Sequence, residues 1–252
     1  MKTRGERALI LFVTAGDPSL EELPGIIGAL AEGGADVVEV GIPFSDPIAD
    51  GPTIQASSQR ALDRGVTPPG ILQTLGAVKA DVPLVAMGYL NPMLRLGLGK
   101  SAQELKAAGV SGVIVSDLIP EEAGPWQEAA RPEGLATIFL AAPTSTDARL
   151  VRVAEASSGF VYAVSRTGVT GDARGPEEAL LLVDRLRSLT DLPICVGFGV
   201  SEPQHVRSVA EFADGVVIGS ALVTLLAEKW HGGAGREQIV AQVQAWKAAT
   251  LG

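Results

Sequence analysis

Eight short apolar runs, rich in Val and Ile, recur along the chain at intervals of about 20 to 50 residues, and nothing else in the sequence restricts the fold so tightly. They are ALILFV (8–13), ADVVEV (35–40), PLVAMG (83–88), GVIVS (112–116), ATIFLA (136–141), GFVYAVS (159–165), PICVGF (193–198) and DGVVIG (214–219). Each is nearly continuous in its hydrophobicity, as a parallel strand covered on both faces must be. Between them lie amphipathic stretches such as 19–34, 101–109, 145–158 and 175–189, several opened by a capping Ser or Thr and several closed at Gly. Eight strand–helix units in 252 residues predict an α/β chain folded as a single (β/α)8 barrel domain over 1–252, with a short N-terminal lead and an extra terminal helix from 236–252. The alternative is a doubly wound open sheet. It needs a glycine fingerprint after the first strand, and the one GxG, Gly197-Phe198-Gly199, follows the seventh run with Glu202 where the third glycine belongs.

Composition removes several function classes. Twenty Lys and Arg against 29 Asp and Glu give a net charge of −9, which attracts neither nucleic acid nor an anionic membrane. A single cysteine, Cys195, and two histidines, His205 and His231, form no metal pattern, so no metal is expected. The apolar stretch at Ala8 to Val13 is too short for a signal peptide or a spanning helix, and a soluble protein of the reducing cytoplasm is expected.

Active sites of such barrels lie at the C-terminal ends of the strands. The second run ends in VEVGIPFSDPIADGPTIQ (38–55), which sets Glu39 inside an apolar strand and Asp46 and Asp50 on a proline-stiffened loop. Glu39 either turns outward to pair with a base, or faces the barrel mouth with its neutral form favoured by desolvation, as an acid–base group requires. Asp50, on a more solvated loop, is expected to stay ionised, a division of labour between two carboxyls. Asp46 in Ser-Asp-Pro is ordinary turn chemistry. Opposite lie glycine-rich loops, SRTGVTGDARG (165–175), VGFGVS (196–201) and IGSAL (218–222), where backbone N–H groups at Gly171, Gly199, Gly219 and Ser220 are expected to cradle a phosphate. The stretch from Arg166 to Gly175 also has the composition of a lid. Tyr162 sits where it could point inward, Phe12 is either a wall for an aromatic substrate or core, and Tyr89, Asn91 and Asp117 are either pocket residues or helix caps.

In this order and spacing, the strand-2 motif with FVTAGDP upstream and SRTGVTG, VGFGVS and GSAL downstream closely resembles the tryptophan synthase α-subunit family. The resemblance implies a barrel that cleaves indole-3-glycerol phosphate to indole and glyceraldehyde 3-phosphate, with no cofactor of its own. It further implies a β subunit, carrying pyridoxal phosphate, as partner in an α2β2 assembly. By motif, Glu39 is the acid–base residue, Asp50 the group facing the indole N–H, Tyr162 the tyrosine beside them and Phe12 an indole-packing aromatic. Gly171, Gly199, Gly219 and Ser220 match phosphate positions, and Asn91 and Asp117 match loops facing the β subunit. Two departures from the family pattern are a short lead before the first strand, where members carry a longer helix over the barrel bottom, and Ser116 before Asp117, where many have a proline or an apolar residue. Readings that remain open are a sugar-phosphate isomerase or epimerase, a non-catalytic partner barrel, and a free-standing lyase.

Overall fold

Why the apolar runs are continuous rather than alternating is answered by the two cores they separate. In a computed structural model describing residues 5–164, 175–197 and 199–251, the strands are β1 (Ala8–Thr14), β2 (Val37–Gly41), β3 (Leu84–Gly88), β4 (Val110–Val115), β5 (Ala136–Ile138), β6 (Leu140–Ala141), β7 (Val161–Val164), β8 (Ile194–Gly197) and β9 (Gly215–Ile218). The helices are α1 (Leu23–Gly33), α2 (Pro52–Asp63), α3 (Pro68–Gly76), α4 (Leu90–Leu96), α5 (Leu98–Ala107), α6 (Gly124–Ala130), α7 (Asp147–Ala156), α8 (Gly175–Arg187), α9 (Pro203–Ala210), α10 (Ser220–Lys229) and α11 (Arg236–Ala248). None of the described helices is long and apolar enough to cross a membrane.

All strand pairings are parallel, in the order β5-β4-β3-β2-β1-β9-β8-β7-β6. The nine strands reduce to the eight expected, because β5 and β6 belong to one run, 136–141, interrupted only at Phe139. There the chain changes its hydrogen-bonded neighbour from β4 to β7, and the N–H of Tyr162 reaches the Phe139 carbonyl at 3.1 Å. Ile138 and Leu140 still face inward while Phe139 faces the helices, so the interruption closes the ring without disturbing the alternation.

Outward residues such as Leu9, Leu11, Val38, Val40, Val113, Val115, Ile194 and Val196 pack under the helices. Inward residues, Ile10, Val85, Ile114, Ile138, Phe160, Cys195 and Val217, fill the barrel as a second cluster. With apolar side chains wanted on both faces, period-two alternation disappears from the sequence.

The terminal helix belongs to the same body. α11 lies along α1, where Gly33 admits it: a Cβ at Gly33 would stand 2.5 Å from Val243 Cβ. Trp246 is buried and its Nε1 donates to the Ser201 carbonyl at 2.9 Å. Lys247 reaches Asp36 at 2.8 Å, and Asp36 in turn accepts the N–H of Leu9 at 2.7 Å. Past α11 the chain pairs with the lead into β1, through Arg7 N–H to the Thr250 carbonyl at 3.2 Å and an antiparallel bridge between Glu6 and Leu251. The segment after α11 thus lies beside the residues that lead into β1.

Gly33→Ala tests this packing. Alanine is the better helix former by about 1 kcal/mol, yet the forced contact should cost about 1–3 kcal/mol of overpacking, so a net loss of stability is expected in urea unfolding. Pairing it with Val243→Ala should recover part of that loss, and a stabilised Gly33→Ala single variant would contradict the close approach.

Candidate active site at the strand ends

β2 alternates Val38 and Val40 toward the helices, which sends Glu39 into the barrel. Its relative exposure is 0%, and neither Oε1 nor Oε2 has a hydrogen-bond partner among the described residues. The outward-pairing alternative for Glu39 is thereby removed. Burial alone pushes its pKa up to about 8, because the charged form has been taken out of water with nothing to compensate it.

Two glycines make room around this carboxyl. Phe12 is the register partner of Glu39, and its ring leans toward the strand end over Gly41, where a Cβ would stand 2.4 Å from the ring. Tyr162 is the register partner of Cys195 and leans in the same sense over Gly197, where a Cβ would meet the phenol oxygen at 2.6 Å. Each aromatic therefore occupies the volume of an absent side chain on the next strand. The Tyr162 hydroxyl is held well above its ordinary pKa by burial first, then by the negative charges of Glu39, Cys195 and Asp50, which places it in their field. Cys195 is buried, and burial raises its thiol pKa, consistent with inert core.

The loop after β2 is tethered by a residue whose role was left open at the sequence level. Tyr89 stacks on Phe44 with ring centroids 5.1 Å apart, and its hydroxyl accepts the N–H of Ala49 at 3.0 Å. Gln55 Nε2 donates to the Asp50 carbonyl at 2.8 Å. Asp50 is half-buried, and its pKa is raised by that burial, partly offset by a hydrogen bond from Tyr89. The expectation of a well-solvated Asp50 is corrected on this point: the Tyr89 tether folds the loop against the barrel mouth. Asp46 behaves as a turn residue, accepting from Ser45 Oγ at 2.6 Å. Below the loop, α2 is pinned by Thr14 and Ser57, whose hydroxyls are 2.7 Å apart, and by Arg60 Nε donating to Asp17 at 3.0 Å.

A cavity of about 910 Å³ opens at the mouth. Its lining includes Asp50, Met87, Leu140 and Tyr162 together with Gly197, Gly199, Gly219 and Ser220. Gly219 precedes the first turn of α10, and Ser220 opens that helix, so free backbone N–H groups and the positive end of the helix face the cavity. Gly199 has φ +38°, which a side chain would disfavour. Gly171 and most of the expected lid lie outside the described residues. Glu202 and Glu228 also line the cavity, so its outer wall is more acidic than the glycine-rich loops suggest. Glu39 and Phe12 are buried and are not among the residues that line the cavity.

The remaining candidates fall outside this cavity. Asn91 is exposed on α4, and Asp117 accepts the N–H of Leu90 at 2.8 Å, capping that helix. Around them the apolar side chains of Ile48, Leu94 and Ile119 are exposed by 82%, 55% and 40%. His205 completes the capping box of α9. Among the described residues no three His, Cys, Asp or Glu side chains gather as a metal-binding group. Sequence reasoning passed over Gly41 and Gly197 as partners of the aromatics. The available signal was a glycine two places beyond the residue opposite an inward aromatic.

The family model for tryptophan synthase alpha chain matches residues 1–250. The chain is 47% identical over 248 residues to the tryptophan synthase alpha chain of Geotalea uraniireducens, covering 97% of this chain and 92% of that protein. It is likewise 47% identical to that of Geobacter sp. strain M21, covering 100% and 95%. Among solved structures, tryptophan synthase of M. tuberculosis in an aminoacrylate-bound form superposes with a TM-score of 0.89 at 39% identity, covering 99% of this chain and 95% of that one. The tryptophan synthase a2b2 complex of Pyrococcus furiosus gives 0.89 at 41% identity, covering 96% and 98%.

The burial of Glu39 has a consequence for stability. Between the unfolded value of 4.5 and the folded value of about 8, the folded chain holds a proton that the unfolded chain has released, so stability falls as pH rises through this window. Above it the deficit amounts to ~5 kcal/mol at 1.36 kcal/mol per pKa unit. Glu39→Gln cannot ionise, and its stability relative to the parent should therefore improve from pH 5 to pH 8.5 by that order. Urea midpoints moving in parallel for the two proteins would contradict the buried neutral carboxyl.

Proposed function

The chain belongs to the tryptophan synthase alpha chain family, and on that premise we propose that Glu39 and Asp50 carry its acid–base chemistry between them. The activity is that of a carbon–carbon lyase of tryptophan biosynthesis, cleaving indole-3-glycerol phosphate to indole and glyceraldehyde 3-phosphate, with the tryptophan synthase β subunit as partner. The observation that carries the residue assignment is the fully buried, unpartnered carboxyl of Glu39 on β2, two strands away from β9 and the α10 N-terminus that follows it.

A carboxyl with a pKa near 8 is protonated at neutral pH and can give its proton to the indole ring carbon that bears the side chain. The ring then becomes an electron sink with positive charge at its N–H, which a carboxylate at Asp50 stabilises electrostatically. Glu39, now ionised in an apolar wall, takes the proton of the adjacent side-chain hydroxyl. The carbon–carbon bond breaks as an aldehyde forms, its electron pair returns to the ring, and Glu39 ends the cycle protonated again. Phosphate held by the N–H groups at Gly199, Gly219 and Ser220 anchors the other end of the substrate, with Gly171 as an additional donor from its motif position. Tyr162, on the cavity wall, packs against the reacting centre, Phe12 backs the wall beside Glu39, and fixing both ends holds the reacting carbon near the acid.

The β subunit is assigned to the face carrying Asn91 and Asp117, where exposed Ile48, Leu94 and Ile119 supply apolar contact. Pyridoxal phosphate belongs to that subunit, with no cofactor in this chain. The 252 residues form one barrel domain, and the cytoplasm is its compartment.

Purified chain, alone and with a β subunit, should release indole from indole-3-glycerol phosphate, slowly alone and faster in the complex. In that assay Glu39→Gln should lower kcat by about 10³-fold or more with KM little changed. Asp50→Asn should lower it by about 10²-fold, and near-parental turnover in either variant would reject the corresponding role. Gly219→Val addresses the phosphate site. The added Cβ meets Ile54 at 3.7 Å and Phe12 at 3.8 Å, ordinary van der Waals contacts. Thermal protection by glycerol phosphate should be lost, and its retention would move the anion elsewhere.

A further inference from the structure

Next to the mouth, beside residues that line it, lies a buried polar side chain that the cleavage chemistry leaves unused. β4 sends Val113 and Val115 to the helices and Ile114 inward, so the next inward position is Ser116. Its backbone N–H donates to the Gly88 carbonyl at 2.8 Å, continuing the pairing with β3. Ile114 lies level with Met87 on one side and Ile138 on the other. One layer higher, Ser116 is therefore bracketed by the β3 and β5–β6 strand ends, whose Met87 and Leu140 line the mouth cavity. Ser116 Oγ is sealed from solvent and has no hydrogen-bond partner among the described residues.

A buried hydroxyl without a partner is a cost that a bound group can remove. With phosphate anchored beside β9 and the reacting carbon at Glu39 on β2, the fused ring of the substrate is left to rest against the wall from β3 to β6. We propose that Ser116 makes this wall selective for substrates whose benzo ring bears a small hydrogen-bonding substituent, such as a hydroxyl or amino group. The inference rests on the lyase reading above and deepens it by naming a class of substrate. An unsubstituted ring edge seats an apolar surface on Ser116 Oγ and leaves it unsatisfied. A ring hydroxyl at the matching position supplies both a donor and an acceptor, and a site built with such a group discriminates against the analogue that lacks it.

The experiment runs the reaction in the condensation direction with the assembled α–β complex, without serine, supplying glyceraldehyde 3-phosphate and either indole or each of the 4-, 5-, 6- and 7-hydroxyindoles. The readout is the ratio of kcat/KM for each hydroxyindole to that for indole. For at least one isomer, Ser116→Ala should lower this ratio by about tenfold, with indole used better and the hydroxyindole worse, while Ser116→Thr, which keeps the hydroxyl, should hold most of the parental ratio. Ratios within about twofold of the parent for all isomers, or a parent complex that accepts indole and rejects every hydroxyindole, would overturn the selectivity. A parent complex that turns over none of the five compounds would overturn the lyase reading itself, and this inference with it.

Discussion

A closed parallel sheet gives every side chain a choice of two environments, and both are dry. What points out meets the helices and what points in meets the barrel axis, so a carboxylate placed mid-strand has no route to water. Glu39 is in that position. Turning it outward would bury it under the helices among Val38 and Val40, and a register slip would expel the whole inward set of β2. The pairing that stabilises the barrel thus confines an acid in a place where its neutral form is favoured at neutral pH. Fold and proton affinity have one cause.

The same pairing shapes the space next to the acid. Phe12 on β1 and Tyr162 on β7 each lean toward the strand ends and fill the space above a glycine on the following strand, Gly41 or Gly197. Because neighbouring strands are locked in register, each aromatic and its glycine lie two residues apart along the barrel axis. Any side chain at either glycine would displace the ring, so the wall around Glu39 depends on glycine at both positions. Electrostatics then follow from packing: the buried Tyr162 phenol feels Glu39 and Asp50 because the ring has been pushed over Gly197 toward them.

Much of this was legible in the sequence, for reasons that can be stated residue by residue. The eight-fold recurrence of Val/Ile runs survives because both faces of each strand are apolar, and the split of the fifth run at Phe139 changes only the hydrogen-bond partner, which hydropathy does not register. Glu39 was conspicuous as a charge in a strand. The state of Asp50 was not legible, since its surroundings depend on Tyr89, 39 residues further along the chain, whose hydroxyl reaches back to Ala49. Glu202 and Glu228 reach the cavity from α9 and α10, and no local pattern in a helix N-cap or an amphipathic face announces that. Long-range placement, rather than local propensity, is what the sequence withheld.

Tyr89 also joins two regions that the chemistry treats separately. Its ring and hydroxyl hold the loop that carries Asp50, while the next residue, Leu90, begins α4 with its N–H capped by Asp117 from the β4 loop. The loops after β2, β3 and β4 are therefore one hydrogen-bonded unit. Its outer side carries Ile48, Leu94 and Ile119 in water, and its inner side carries Asp50 at the cavity. Desolvating the outer side against a partner would favour a single arrangement of that unit, and Asp50 moves with it through two short contacts rather than through the barrel. A rigid sheet fixes Glu39 whether or not anything is bound outside, whereas the position of Asp50 is only as definite as the loops that hold it. Partner dependence should then reside in the second carboxyl, not the first.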